Sequence, residues 1–227
     1  MWIQLKLKVL MLDTHHMIIA AALSFLLYTQ IEKAISVFRK AYPKVFKDAW
    51  YQENLMLSSI HATFQIIGSS LFLNQWISSD VYIPYHALVT IGYYVKDLIF
   101  VYRYDQYSTK IKSQYFVHHT VCLMISYFGG KYPLILARGF LVELTIPLTN
   151  WCMYLKRIDQ TNTIMYKASF IIMSLFYFMV RIVYAGIYVM GPLMYSDHYW
   201  VIIFGTFLYV LNFSWMFTII KKIRMLY

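Results

Sequence analysis

Residues 113–157 read SQYFVHHTVCLMISYFGGKYPLILARGFLVELTIPLTNWCMYLKR. Two apolar runs, 115–128 and 134–155, flank Gly129, Gly130, Lys131 and Pro133. Glycine frees the backbone and proline cannot continue a helix, so the chain turns there. The two runs read as a tight helical hairpin. Each also carries groups that an apolar helix should exclude: His118 and His119 in the first, Arg138 and Glu143 in the second. Apolar helices with ionisable residues inside them set the reading of the whole chain.

The remaining sequence has the same character. Of 227 residues, 60% are hydrophobic and 13% charged, against about 25% charged in an ordinary soluble domain. Mean hydropathy is +0.54. A soluble fold of this size would have to hide more apolar surface than its interior can hold. That excludes a soluble enzyme, a disordered chain and a nucleic-acid-binding domain. The isoelectric point near 9.4 does not indicate DNA or RNA as partner, because the basic residues are dispersed between apolar runs rather than gathered on one polar face. The two cysteines, Cys122 and Cys152, lie in apolar stretches and form no CxxC pair.

A helix that crosses a bilayer needs roughly 20 mainly apolar residues. Seven segments approach this: 14–31, 55–77, 82–102, 115–128, 134–155, 164–190 and 199–220. The first resembles a signal peptide, with Lys6 and Lys8 ahead of an apolar run from Met17 to Leu27. Tyr28, Thr29 and Gln30 follow instead of a small-residue cleavage site, so it reads as a membrane helix. The expected fold is all-α and polytopic, with about seven transmembrane helices.

Lysine and arginine set the orientation. Lys33, Arg39, Lys40, Lys44 and Lys47 follow span one, and Arg103, Lys110 and Lys112 follow span three. Lys156 and Arg157 follow span five, and Lys221, Lys222 and Arg224 follow span seven. These thirteen share one side in a seven-span arrangement, against Lys6, Lys8 and Lys131 on the other. The reading places the C-terminus in the cytosol and the N-terminus outside.

Ionisable residues inside spans are costly and are functional candidates by default. They are His61, His86, Lys96, Asp97, His118, His119, Arg138, Glu143, Lys167 and Arg181. Lys96, Arg138 and Lys167 fall near span ends, where they can snorkel. Helical spacing gathers the polar residues into stripes. Ser58, His61 and Gln65 share a face of span two; His86, Thr90, Tyr93 and Asp97 share one of span three. Gly139, Glu143, Pro147 and Asn150 share one of span five, and Gly205 and Asn212 one of span seven. Lipid offers these stripes no partners, so they must face each other across a polar-lined interior. Such pairs also serve simply as glue between helices. Pro147 has no N–H, which is expected to free the carbonyl of Glu143 four residues back.

His118 and His119 are about 100° apart around a helix, so their roles must differ. An imidazole acts near neutral pH as a base or an acyl-accepting nucleophile. Asp97 and Glu143 are available to orient it, and Arg181 to hold an oxyanion, carboxylate or phosphate. A di-iron site is excluded: position 115 is Tyr, only seven histidines exist, and His15, His16 and His198 lie at span edges. His15-His16 belongs to the interfacial zone. No metal or cofactor is expected.

These residues occur in a recognisable order. Ser58 and His61, the Gly-Tyr-Tyr-Val-Lys-Asp segment ending at Asp97, and His118-His119 come first. Glu-Leu-Thr-Ile-Pro-Leu-Thr-Asn at 143–150 with Trp151, Val-Arg-Ile at 180–182, and Asn-Phe-Ser-Trp-Met at 212–216 come after them. The ordered set, over residues 50–222, resembles the TLC-domain family, which includes ceramide synthases. The likeness is greatest to its smaller members. It implies a six-helix barrel of spans two to seven around a lipid-sized cavity, with the first helix outside. It divides the chain into 1–49 (first helix and basic cytosolic loop), 50–222 (the TLC domain) and 223–227 (a short tail). In ceramide synthases the histidine pair transfers a fatty acyl group from coenzyme A to a sphingoid amine. The resemblance thus makes His118 and His119 catalytic candidates, with Asp97 and Glu143 beside them. The synthase pattern has a downstream His-Asp…Asp element, and here Glu143 is the only carboxylate on that helix. The Glu-x-x-x-Pro-x-x-Asn pattern belongs to the other branch, whose members look like regulators of membrane lipid composition.

The leading expectation is an endoplasmic-reticulum or other endomembrane protein of lipid homeostasis. It would bind a fatty acyl chain or membrane lipid through His61, Tyr93, Asn150, Arg181 and Asn212. The alternative is an acyltransferase of the ceramide-synthase kind, with acyl-CoA as co-substrate. A membrane-protein chaperone or cargo receptor is the third reading. A second copy of the chain is a candidate partner.

Overall fold

A computed structural model describes residues 2–42, 49–104, 107–129, 131–197 and 199–224, with side chains from Ile19 onward apart from 49–50 and 127–129. Among the described residues the regular structure is helical throughout, without a strand. Four unbroken helices come first: α1 (Trp2–Ala41), α2 (Ala49–Leu73), α3 (Ser79–Arg103) and α4 (Thr109–Gly129). The fifth rod is composite: α5 (Pro133–Phe140), a 3-10 turn (Leu141–Thr145) and α6 (Ile146–Arg157). So is the sixth, where α7 (Ile164–Tyr177) runs into π-helical turns at Phe178–Tyr184 and Gly186–Met190 and then α8 (Gly191–Leu193). The last rod is α9 (Tyr199–Arg224).

Local chemistry explains the boundaries. Pro133 stands in the first turn of α5, where its missing N–H costs nothing. The Thr163 hydroxyl caps α7 by accepting from the Tyr166 N–H at 3.2 Å. Asp159 takes a φ of 61° in the turn between α6 and α7, a conformation aspartate tolerates better than most residues. Lys221, Lys222 and Arg224 close α9, where cations oppose the negative end of the helix dipole.

Among the described residues three helices are long and apolar enough to cross a membrane: Tyr51–Leu73, Ile164–Leu193 and Tyr199–Arg224. The other rods are more interrupted. α3 contains Asp80, Lys96, Asp97 and Arg103, α4 opens on Lys110 and Lys112, and the fifth rod is split by its 3-10 turn. α1 differs most from the expected span. Its 40 residues extend about 60 Å at 1.5 Å per residue, twice the hydrocarbon thickness of about 30 Å. The residues expected to form a basic loop after position 31 are helical as far as Ala41. Glu32 takes Lys96 of α3 at 2.6 Å, and Arg39 reaches Glu53 of α2 at 3.0 Å, a charge contact rather than an aligned hydrogen bond. Lys44, Lys47, Gly130 and His198 lie outside the described residues, as do the side chains of Lys6, Lys8, His15 and His16.

The rods pack in a closed circuit. α2 packs on α3, α3 on α4, α4 on α9, α9 on α7 and the π turns, α7 on α6, and the fifth rod returns to α2. α1 lies against α3 and α2. The helices come close at Ser24, whose hydroxyl accepts the Gly92 N–H at 2.8 Å. A Cβ on Gly92 would strike the Ser24 backbone. Small residues let membrane helices approach this closely. Gly92→Ala is expected to cost roughly 1–3 kcal/mol through overpacking, read as a lower unfolding midpoint in detergent. In Gly191→Ala the new Cβ meets nothing nearer than Gly186 O at 3.8 Å, so its midpoint stays at the wild-type value. An unchanged midpoint for Gly92→Ala would contradict the α1–α3 contact.

Candidate functional site

The polar stripes of α2 and α3 meet along a buried seam. Asp97 Oδ1 accepts from Asn54 Nδ2 at 2.8 Å, and Oδ2 lies 3.3 Å from His119 Nδ1 without the alignment of a full hydrogen bond. The His119 ring is buried and stacks on Tyr94 with centroids 4.9 Å apart. One helical turn away, His61 stacks on Tyr93 at 3.9 Å, and Ser58 bonds the Tyr93 hydroxyl. The His61 Nδ1 sits between the Tyr28 hydroxyl of α1 at 3.0 Å and the Val89 carbonyl at 3.2 Å. His86 is held by Gln65 at 3.1 Å and Ser126 at 3.2 Å, and Gln65 bonds Thr90. Three helices are thus registered by neutral hydrogen bonds and one carboxylate. Unmade, each bond would leave a buried polar group at about 1–3 kcal/mol.

His118 points elsewhere. It is half-buried and lines a cavity of about 830 Å³, including its open mouth, between α4, the fifth rod, the π turns and α9. Most of the wall is apolar, including Ile125, Leu136, Phe140, Val189, Leu193 and Leu208. The polar groups on it include His118, Glu143, Arg181 and Asn212. Arg181 Nη2 lies 3.7 Å from Glu143 Oε1, its Nε donates to Thr145 Oγ1 at 2.7 Å, and its Nη1 to Asn212 Oδ1 at 3.3 Å. The Tyr177 ring lies 5.5 Å from the guanidinium, and its hydroxyl donates to Asn212 Oδ1 at 3.2 Å. The roughly 100° between adjacent helical residues therefore divides the two histidines: one enters the seam, the other the cavity.

The sequence-derived residues fall into three places. His118, Glu143, Arg181 and Asn212 share the cavity, and Gly205 lines it too. His119 and Asp97 form the layer behind it, and His61 and Tyr93 pack with Tyr28 deeper in the seam. Asn150 is outside both: its amide donates to Leu55 O and Ser59 Oγ, each at 2.9 Å, tying α6 to α2.

The fifth-rod stripe does not survive as one face. A 3-10 helix advances about 120° per residue against 100° in an α-helix. Five such residues at 141–145 rotate the remainder of the rod by about 100°. Gly139 and Glu143 line the cavity, whereas Pro147 is exposed and Asn150 faces α2. The same turn corrects the expectation of a freed carbonyl at Glu143. The Ile146 N–H, three residues on, donates to it.

Thr145, Tyr177 and Asn54 were missed by the sequence reading. Tyr177 is four residues before Arg181, and Asn54 is four before Ser58 and seven before His61. Helical spacing carried both signals. Thr145, two residues from Glu143, gave none, since in an α-helix the two diverge. Among the described residues no group of three or more His, Cys, Asp or Glu is placed to hold a metal. No protein family, curated protein or solved structure matches the chain.

A double-mutant cycle tests the seam. Asp97→Ala and His119→Ala, unfolded singly and together in detergent, are expected to show a coupling of about 0.5–3 kcal/mol. Additive effects would mean that the carboxylate does not engage His119.

Proposed function

We propose that the chain is a multi-pass membrane protein of TLC type, which holds a fatty acyl chain or lipid inside a barrel of six rods and contributes to membrane lipid homeostasis. The observation that carries this reading is the cavity: an apolar wall with a few convergent polar groups. An apolar wall with a few fixed polar groups is the usual make-up of a small-molecule site.

The outer surface supports the membrane half of the reading. Large apolar side chains are exposed on many rods, among them Leu26, Ile99, Phe116, Ile172, Leu175, Ile187, Val210 and Phe217. Soluble proteins seldom expose apolar surface on that scale. On the other rods several charged groups are paired or sit at rod ends. Lys96 is paired with Glu32, Asp97 bonds Asn54, and Arg103 and Arg157 end their helices. The excess of basic residues after alternate spans supports a cytosolic C-terminus, in an endomembrane such as the endoplasmic reticulum.

Acyl transfer asks for a cavity-facing imidazole steered by a carboxylate. His118 meets the first condition. Among the described residues neither carboxylate contacts its ring: Asp97 meets Asn54 and His119, and Glu143 meets Arg181 through one oxygen. That division favours holding a lipid over transforming one. With acyl-CoA and sphinganine in microsomes, the protein is expected to form no product above a His118→Ala control. Product that depends on His118 would move the reading to an acyltransferase.

Gly139 provides the direct test of occupancy. It lines the cavity, and a Cβ there meets only Val189 Cγ1 at 3.9 Å. Gly139→Leu therefore fills the cavity without a clash at the backbone. Lipid co-purified from the membrane and measured by mass spectrometry is expected to fall several-fold, with the unfolding midpoint retained. Equal lipid in wild type and variant would place the bound molecules on the outer surface instead.

A further inference from the structure

The electrostatics of the cavity constrain the head of what it holds. Arg181 is 3% exposed, and its nitrogens are already directed at the protein. Nε donates to Thr145, Nη1 to Asn212, and Nη2 faces Glu143. The guanidinium charge is balanced by one carboxylate, so the pair offers an incoming ligand no net charge. An anionic head would have to displace Glu143 from Arg181 and remain beside that carboxylate in a weakly polar wall. A cationic head drawn to Glu143 would lie beside Arg181 with one carboxylate between two cations. Either places an uncompensated charge where burial penalises it most.

The groups left unsatisfied are of a different kind. Among the described residues Glu143 has no partner but Arg181, so its second oxygen is an open acceptor on the cavity wall. Among the described residues the His118 nitrogens meet only the Cys122 sulfur, at 3.8 and 4.0 Å, and the ring lies edge-on to Trp215 at 5.2 Å. An acceptor and a ring that can donate or accept call for a hydroxyl or amide.

We propose that the cavity selects an uncharged lipid, a long acyl or alkyl chain whose head donates an O–H or N–H to Glu143, and that it excludes free fatty acid anions, long-chain amines and phospholipids. This inference rests on the cavity being a lipid site and specifies the head group. Fatty alcohols, monoacylglycerols and N-acyl amides share the required chemistry. Glu143 is the acceptor that reads the head, and Arg181 holds Glu143 in place.

The test uses the full chain in detergent micelles, equilibrated separately with monoolein, oleyl alcohol, oleamide, fully ionised oleate, oleylamine and dioleoylphosphatidylcholine. Retained lipid is measured by mass spectrometry after gel filtration. The uncharged probes are expected to be retained over oleate and oleylamine by about tenfold or more, and the ranking among the three identifies the natural head. Glu143→Gln removes the balancing carboxylate and is expected to shift the preference toward oleate. Oleate held above every uncharged probe by wild type would overturn the head-group assignment while leaving a lipid site. Retention of none of the probes would overturn both. A folded Glu143→Gln with the wild-type ranking would overturn the role given to Glu143. Where that variant does not fold, the wild-type ranking decides.

Discussion

Asp97 puts one carboxylate between three helices, and much of the bundle is arranged around the need to satisfy it. Asn54 of α2 donates to one oxygen and His119 of α4 approaches the other. A carboxylate in an apolar surround is tolerable only with such partners. Its position on α3 therefore restricts how α2 and α4 rotate. The neutral contacts further along the seam, through His61, Tyr93, Gln65 and His86, extend the same register over several turns. α1 joins through Tyr28 and Ser24, so the first helix contributes to the buried polar network rather than standing apart from it.

Fixing α4 from behind has a consequence in front. Once His119 is committed to Asp97, helical geometry turns His118 toward α9 and the π turns. Most polar groups of the seam are partnered, though His61 Nε2 and His119 Nδ1 are buried there without an aligned partner, and the cavity keeps Glu143 and His118 with spare hydrogen-bonding capacity. The two irregular segments serve this side. The 3-10 turn brings Thr145 under Arg181, which it could not reach from an α-helical Glu143 face. The π turns carry Arg181 itself, and π geometry in a helix often marks a functional position.

The all-helical class and the approximate helix positions were legible because apolar runs of this length have few alternatives. The stripes on α2 and α3 were legible too, since both helices are regular and a spacing of three, four or seven holds along them. The divergence of His118 and His119 came from the same arithmetic. Irregular backbone broke the reading. Leu141–Thr145 and Phe178–Met190 have ordinary helical composition, and nothing in residue type distinguishes 3.0, 3.6 or longer turns. Pro147 and Asn150 were therefore assigned to a face they do not share with Glu143. The end of α1 was misread for another reason. Glu32 and Arg39 look like loop residues in isolation, and their partners, Lys96 and Glu53, lie far along the chain.

The central claim is that the cavity beside Glu143 and Arg181 is occupied by a lipid tail within the membrane. A cryo-electron microscopy map of the protein in nanodiscs made from its own membrane tests this most directly. The account predicts elongated density between α4, the π turns and α9, ending at Glu143 and His118. A cavity closed by side chains, or filled only by separate water peaks, would contradict it.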